Sequence, residues 1–257
     1  MSGARQSIRQ PIQQSTRGPV SLRAGVWLAL ALIGAWLVRN FHWDVVWRAA
    51  PFLLRGLEVS WELAILSVLI GLLTGTLLAA ARLYGVVGIR HAAIAYIELI
   101  RSTPQIMIIF WVYFGVPPLT GTVLNPWPAA LIALSLIASA YLAEVVRAGL
   151  LSVPAVHRES AYAAGLRGAT IFLHIVLPQA LRNMLPALIA HIIMIFKVTS
   201  LVYLIGVIDF FRAAMLVNNR DFAPYAIYLT VALVYFGCNF VLSTLIRRFD
   251  PRYTLSA

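Results

Sequence analysis

The side chains best placed to do chemistry in this chain suggest contact and charge rather than bond making. Glu159, Ser160, Ala161, Ala163 and Ala164 make a short polar run of helix-forming or small residues ended by Gly165, and Ile175, Leu177 and Pro178 follow a second helix-forming stretch. A carboxylate near the amino end of such a helix complements its dipole, and Gly165 breaks or bends it. Small side chains let a helix lie deep in a partner's groove, a recurrent mode of recognition. The second run, 169–176, leads into Leu177 and Pro178, where proline suits the start of another helical segment. The expectation is a pair of short helices joined near a glycine. On periodicity alone, an ordinary connecting loop with local helix reads better.

Other charged residues sit inside or beside apolar sequence. Glu98 and Arg101 are three apart, as are Glu144 and Arg147, so each pair can share a helix face and neutralise itself. Either pair could instead gate a path or meet the polar loop. Lys197 lies in an apolar run with His191, Thr199 and Ser200 nearby. A charge at the centre of a bilayer costs about 2.5–3.5 kcal/mol on insertion scales, so each of these should face protein or a wet cavity. Glu58 and Glu62, one turn apart, read as interfacial, and His157 and His174 as surface residues rather than ligands. No Ser/His/Asp order, metal spacing or paired carboxylates stand out, so no catalytic residue and no metal site is expected. A phosphate loop is excluded, because the only lysine, Lys197, follows Ile-Met-Ile-Phe and lacks the glycines that would cradle phosphate.

The elements that must position these residues are membrane helices. Hydrophobic residues are 61% of the 257 and charged residues 11%. The apolar residues fall in continuous runs of about 20, the length that crosses about 30 Å of hydrocarbon as a helix. A barrel would show alternating segments of about ten residues. The fold class is therefore all-α, a polytopic helical membrane protein, since helices satisfy every backbone group in lipid. Six segments are expected: 24–38, 57–81, 92–116, 128–146, 185–207 and 224–246. The first resembles a signal-peptide core in length, but 34–40 offers no small-x-small cleavage site, and Trp36 and Trp43 suit an interfacial anchor. It reads as an uncleaved extra helix. Cys238, the single cysteine, excludes an internal disulfide and reads as a small buried hydrophobe.

Orientation follows from arginine. With the amino terminus inside, the inner ends carry 14 arginines, Arg101 among them, and the outer ends five: Arg39, Arg48, Arg55, Arg212 and Arg220. That positive-inside bias puts both termini and the loop from Arg147 to Leu185 in the cytoplasm. The net charge of +11 is thus mainly topological, and no soluble basic face suggests nucleic acid.

Glu159, Ala161, Gly165, Ile175, Leu177 and Pro178 stand at the intervals of E-A-A, three residues, G, nine residues, I, one residue, L-P. In this spacing the chain resembles the EAA loop of ATP-binding-cassette importer permeases, with Ser160 replacing one alanine. The resemblance, to the polar amino-acid uptake branch, extends through Tyr96-Ile-Glu98-Leu-Ile-Arg101-Ser102-Thr103-Pro104, the run Ala140 to Gly149, Leu177 to Arg182, and Lys197-Val-Thr199-Ser200-Leu201 with Ile205-Gly206. Ser102 departs from a common glycine, and Val198 from a common acidic or amide residue.

The resemblance implies a type I importer permease over 52–250, with five core helices and a coupling loop at 155–178. A basic cytoplasmic tail (1–23) and the extra helix (24–40) precede it. It implies a permease subunit in the bacterial inner membrane that moves a polar amino acid inward. Glu159, Ala161, Gly165, Ile175, Leu177 and Pro178 would couple to the ATPase, and Glu98, Arg101, Ser139, Tyr141, Lys197, Thr199 and Ser200 are candidates for the path. Implied partners are two ATPase copies binding ATP and Mg, an extracytoplasmic amino-acid-binding protein, a second permease chain and the bilayer. The chain itself would hold no cofactor. An ion-coupled secondary transporter or a membrane scaffold is the alternative, but no convincing inverted repeat is present.

Overall fold

A computed structural model describes residues 43–249, with side chains to 244, and isolated positions between 25 and 36. The chain divides after Trp43 into an amino-terminal unit and a main unit. In the first, the described positions Gly25, Trp27, Leu28, Ala29, Leu32, Gly34 and Trp36 are helical. The remainder of the expected helix at 24–40, like the tail at 1–23, lies outside the described residues.

Every regular element described in 43–249 is helical: α1 (Trp43–Tyr84), α2 (Val87–Ser102), α3 (Gln105–Thr120), α4 (Pro126–Leu151), α5 (Ala155–Ala163), α6 (Gly168–Ile205), α7 (Phe210–Asp221) and α8 (Pro224–Phe249). Among them α1, α4, α6 and α8 are long and apolar enough to cross a membrane, and α2 with α3 makes a fifth, bent candidate.

That bend corrects the continuous third segment expected at 92–116. The two helices meet at 109°. Pro104 has no N–H to continue the ladder and drives the preceding residue out of the helical region. Thr103 accordingly sits extended at φ −89°, ψ 135°, and its N–H and hydroxyl both donate to Leu99 O, at 3.2 and 2.7 Å. Arg101 therefore stands near the far end of α2, about 21 Å of helix from Val87 at 1.5 Å per residue. Glu98 stands in the last turn and a half of the same helix.

Two helices are longer than hydropathy suggested. α1 is 42 residues, about 63 Å and twice the hydrocarbon thickness. It holds together because its buried residues recur at intervals of three and four, and most are small: Gly56, Ser60, Ala64, Ser67, Gly71, Gly75 and Ala79. Such a stripe lets helix backbones approach closely in lipid. A Cβ on Gly71 would collide with Ala138, and one on Gly75 with the backbone of Ser139 and Ala143. The partner, α4, has 14 of its 26 residues buried and is the central helix. Around it Leu63, Ile109, Leu134, Ile137, Ile195 and Phe196 form the main core, where Trp61 stacks on Phe196 at 4.3 Å. Cys238 is half-buried at the edge of this core.

Two smaller clusters tie opposite ends of the bundle. Val45, Ala49 and Leu53 of α1 pack on Phe210, Ala213, Ala214 and Val217 of α7 and Ile227 of α8. At the other end, Ala79, Val145, Val146, Val153, Ala161, Ile171, Val176, Ala180 and Met184 draw together α1, α4, α5 and α6.

Candidate functional site

The polar loop folds as α5, a sharp turn, and the start of α6. Glu159 and Ala161 lie in α5 and Gly165 ends it. The Leu166 N–H donates to Ala161 O at 3.1 Å and the Gly165 N–H to Tyr162 O at 2.9 Å. These are the paired bonds of a Schellman cap, which requires a left-handed residue after the helix. Gly165 supplies it at φ +80°, in open space, so backbone conformation alone demands glycine here.

The second half departs from the expected pair of short helices. Gly168 begins a helix that runs without interruption to Ile205, so the segment expected at 185–207 starts 17 residues earlier. Pro178 does not start a new helix. Its ring and missing N–H are accommodated by a π turn at Phe172–Val176. A second π turn, Trp111–Gly115, precedes Pro117 and Pro118 in α3 for the same reason.

Ala161 also takes a different role from the one its size suggested. It is buried within this chain, against the cluster at the ends of α4 and α6, and is small because Val153, Ile171 and Val176 close on it. Glu159, Ser160, Tyr162 and Ala163 are exposed, with Tyr162 60% accessible. Ile175 is half-buried behind the loop, Leu177 half-buried and Pro178 exposed. Polar bonds fasten the assembly: His157 Nδ1 lies 2.8 Å from Gln179 Oε1, and Asn183 donates to Ser152 Oγ at 2.8 Å. Thus α5 is packed onto the ends of α4 and α6, while one polar and aromatic face stays exposed. Tyr162 was not singled out in the sequence, and it is the one aromatic side chain on the exposed face of α5.

The path candidates separate into groups. Arg101 and Tyr141 line an open cavity of about 720 Å³ between α2, α4 and α6, together with Glu144, Arg182, Asn183 and His191. The Arg101 guanidinium lies 5.8 Å from the centre of the Tyr141 ring, within cation–π range. His191 packs on the same ring, and its Nδ1 is buried with no hydrogen-bond partner among the described residues. Glu98 is largely exposed and 3.9 Å from Arg101, too far for a hydrogen bond. Ser139 is buried and bonded to Tyr96 Oη at 2.8 Å, beside a separate apolar crevice of about 620 Å³. Thr199 is fully buried with its hydroxyl on Phe196 O, and Ser200 donates to Lys197 O. Lys197 is exposed, outside the cavity lining. The structure thus brings Arg101 and Tyr141 together at the cavity, keeps Glu98 in a long ion pair with Arg101 outside the lining, and leaves Ser139, Lys197, Thr199 and Ser200 apart from them. Arg182 and Asn183 lie next to the loop motif in sequence, but only the packing of α6 on α4 turns them into lining.

Glu144 pairs with Arg147, as the spacing suggested, and also with Arg82 of α1. Arg82 bonds Oε1, and Arg147 bonds Oε2 through Nε and Nη2 at 3.0 and 2.9 Å. The carboxylate is therefore a tie between the ends of α1 and α4.

Comparison with known proteins places this architecture. A family model described as binding-protein-dependent transport system inner membrane component matches residues 25–255, beginning within the segment read as an extra helix. The glutamate/aspartate import permease protein GltK of Escherichia coli O6:H1 is 34% identical over 214 residues, covering 80% of this chain and 96% of the relative. The glutamine transport system permease protein GlnP of Escherichia coli K12 is 33% identical over 214 residues, covering 83% and 98%. The crystal structure of an amino acid ABC transporter with histidines has a TM-score of 0.77 at 30% identity, covering 83% of this chain and 99% of that one. With the match running nearly end to end through these helices, the chain belongs to the family of binding-protein-dependent transport system inner membrane components.

Proposed function

We propose that this chain is the multi-pass permease subunit that carries a polar amino acid inward across the bacterial inner membrane, driven by ATP hydrolysed on a separate polypeptide. Relatives named as glutamate/aspartate and glutamine permeases support an amino-acid cargo. The single observation that carries the coupling role is α5, fastened to α4 and α6 through Ala161 and His157 while Glu159, Ser160 and Tyr162 face outward. The arginine bias supports a cytoplasmic position for this end and for both termini. There two ATPase copies, holding ATP and Mg, would meet α5 of this chain and of a second permease chain. A binding protein delivers the cargo from the opposite side.

The mechanism is a two-state one. Closure of the ATPases can shift the bundle only by binding one of its states better than the other. Because α5 shares a packed cluster with α1, α4 and α6, movement of α5 is transmitted as rigid movement of those helices. The chain contributes shape and charge along the path, and the ATP chemistry belongs to the partner.

Proteoliposomes containing the chain with its ATPase and binding protein test this reading. Uptake is expected to require ATP and to resist an uncoupler. Substituting both Glu159→Ala and Tyr162→Ala should cut uptake by about tenfold or more, the loss of one well-packed anchor, with membrane insertion unchanged. Undiminished uptake by this variant removes the coupling role. Collapse of uptake by an uncoupler, with ATP present, indicates the ion-coupled alternative instead.

A further inference from the structure

We infer that the apolar crevice between α1, α2 and α4 is a binding site for one anionic phospholipid of the inner leaflet, with an acyl chain along the crevice and the phosphate at Arg90. Such a site goes beyond the importer reading and does not depend on it. The crevice, of about 620 Å³, is walled by Ile70, Leu77 and Ala81 of α1, Tyr96 of α2, and Leu131 and Leu136 of α4. It opens on the outer surface of the bundle, where Leu73, Leu77 and Ile132 are exposed.

Its dimensions suit an acyl chain better than a helix. From Ile70 to Ala81 the α1 wall runs eleven residues, about 16 Å at the helical rise. That is close to the depth of one leaflet, half of the roughly 30 Å of hydrocarbon. Spread over that length, 620 Å³ gives a mean cross-section of about 40 Å², less than half that of a helix about 10–12 Å across. Helix contacts in lipid also favour small residues, as α1 uses at Gly71 and Gly75, whereas large aliphatic side chains line most of this crevice. Its few polar groups need no ligand. Tyr96 Oη and Ser139 Oγ bond each other at 2.8 Å, and Thr74 Oγ1 donates to Ile70 O at 2.8 Å. The Ser135 hydroxyl, unpartnered among the described residues, can turn onto a carbonyl of its own helix.

The mouth of the crevice supplies the charge. Tyr84 lies three residues beyond Ala81, and Ile89 seven before Tyr96. Each therefore continues the lining face of its helix toward the end that the arginine bias assigns to the inner side. Both are exposed, as are Val86 and Val87 between them, and an apolar turn with a tyrosine suits the headgroup boundary rather than water. Arg90 is exposed beside this turn, and its side chain makes no hydrogen bond or ion pair among the described residues. Arg82, by contrast, is committed to Glu144. A free guanidinium at the inner end of a crevice one leaflet deep matches the phosphate and tail of a single anionic lipid.

Native mass spectrometry tests the site, on the purified permease–ATPase complex stripped of lipid in detergent and titrated with phosphatidylglycerol or with phosphatidylcholine of the same acyl chains. One phosphatidylglycerol per permease chain is expected to be retained, about fivefold more tightly than phosphatidylcholine, the scale of one arginine beside an anionic headgroup. Arg90→Gln should bring phosphatidylglycerol down to the phosphatidylcholine level and leave phosphatidylcholine unchanged. Thr74→Phe, which fills the crevice from an exposed position, should remove both retained lipids while the complex stays whole. The lipid site is overturned if the parent complex retains no lipid, if the two headgroups bind alike, or if Thr74→Phe still holds phosphatidylglycerol. Loss of a permease chain from the Thr74→Phe complex overturns it as well, because the crevice is then the seat of a second copy.

Discussion

Gly165 shows how a single backbone angle can decide a functional element. At φ +80°, with nothing within 4 Å of a Cβ, it is constrained by conformation and not by space. Gly165→Ala should therefore fold and insert, with a cost of about 1–2 kcal/mol confined to the end of α5. Gly165→Pro cannot reach positive φ and removes the N–H that bonds Tyr162 O. The alanine variant is expected to keep reduced uptake and the proline variant to lose it, both at normal membrane abundance. Normal uptake by the proline variant shows that the cap is dispensable. Ala161 teaches the complementary lesson, since its small size serves packing within the chain. A bulky residue there would push α5 off its own bundle before it touched a partner.

Among the elements, α1 has the clearest dependence on small residues. Its contact with α4 runs through Gly71 and Gly75, where backbone meets backbone. Gly75→Leu overfills that contact and should lower stability by about 1–3 kcal/mol, the usual cost of overpacking. The same substitution at Gly88, where nothing lies within 4 Å of a Cβ, serves as the control. Thermal unfolding in detergent should separate the two, and equal midpoints would show that α1 does not need close approach. The prolines act at this scale as well. Pro104 turns one expected span into two helices, whereas Pro178 is absorbed by a π turn and leaves α6 continuous. The sequence reading runs one segment through Pro104 and starts a helix near Pro178, the reverse of what the structure shows. The difference lies in the preceding residue, extended at Thr103 and helical at Leu177.

At the scale of the whole molecule, the two ends of the bundle are held differently. The α5 end relies on an apolar cluster and the Glu144 tie, and the opposite end relies on α7 laid against α1. Asp209 caps α7 by accepting from the Phe211 and Arg212 N–H groups at 3.2 and 3.0 Å, while Ser60 of α1 accepts from the Phe210 N–H. Burial pushes the Asp209 carboxyl up from 3.8 to about 6, against the lowering effect of those bonds and of Arg212. A raised carboxyl binds its proton more tightly in the folded state. The contribution to stability is thus fully present below about pH 4 and lost as pH rises through 6. Amides of α7, corrected for intrinsic rate, should exchange more slowly at pH 5 than at pH 7.5, and Asp209→Asn should flatten that difference. An unchanged pH difference in the variant assigns it to another group.

The sequence by itself determined the membrane class, the all-helical fold and the spacing of the polar loop at 159–178. Each is a local property, set by hydropathy, charge or intervals along one stretch of chain. Tertiary structure decided which residues face one another. Glu144 gains Arg82 from 62 positions away, Ser139 and Thr199 are taken into packing, and Arg101, Tyr141, Arg182 and His191 meet around one cavity. Hydropathy records that a residue leaves water, but not which helix it then meets. In a chain whose helices are apolar on most faces, the approach of backbones at Gly71 and Gly75 and the bend at Pro104 settle which polar side chains are sealed in and which line a path.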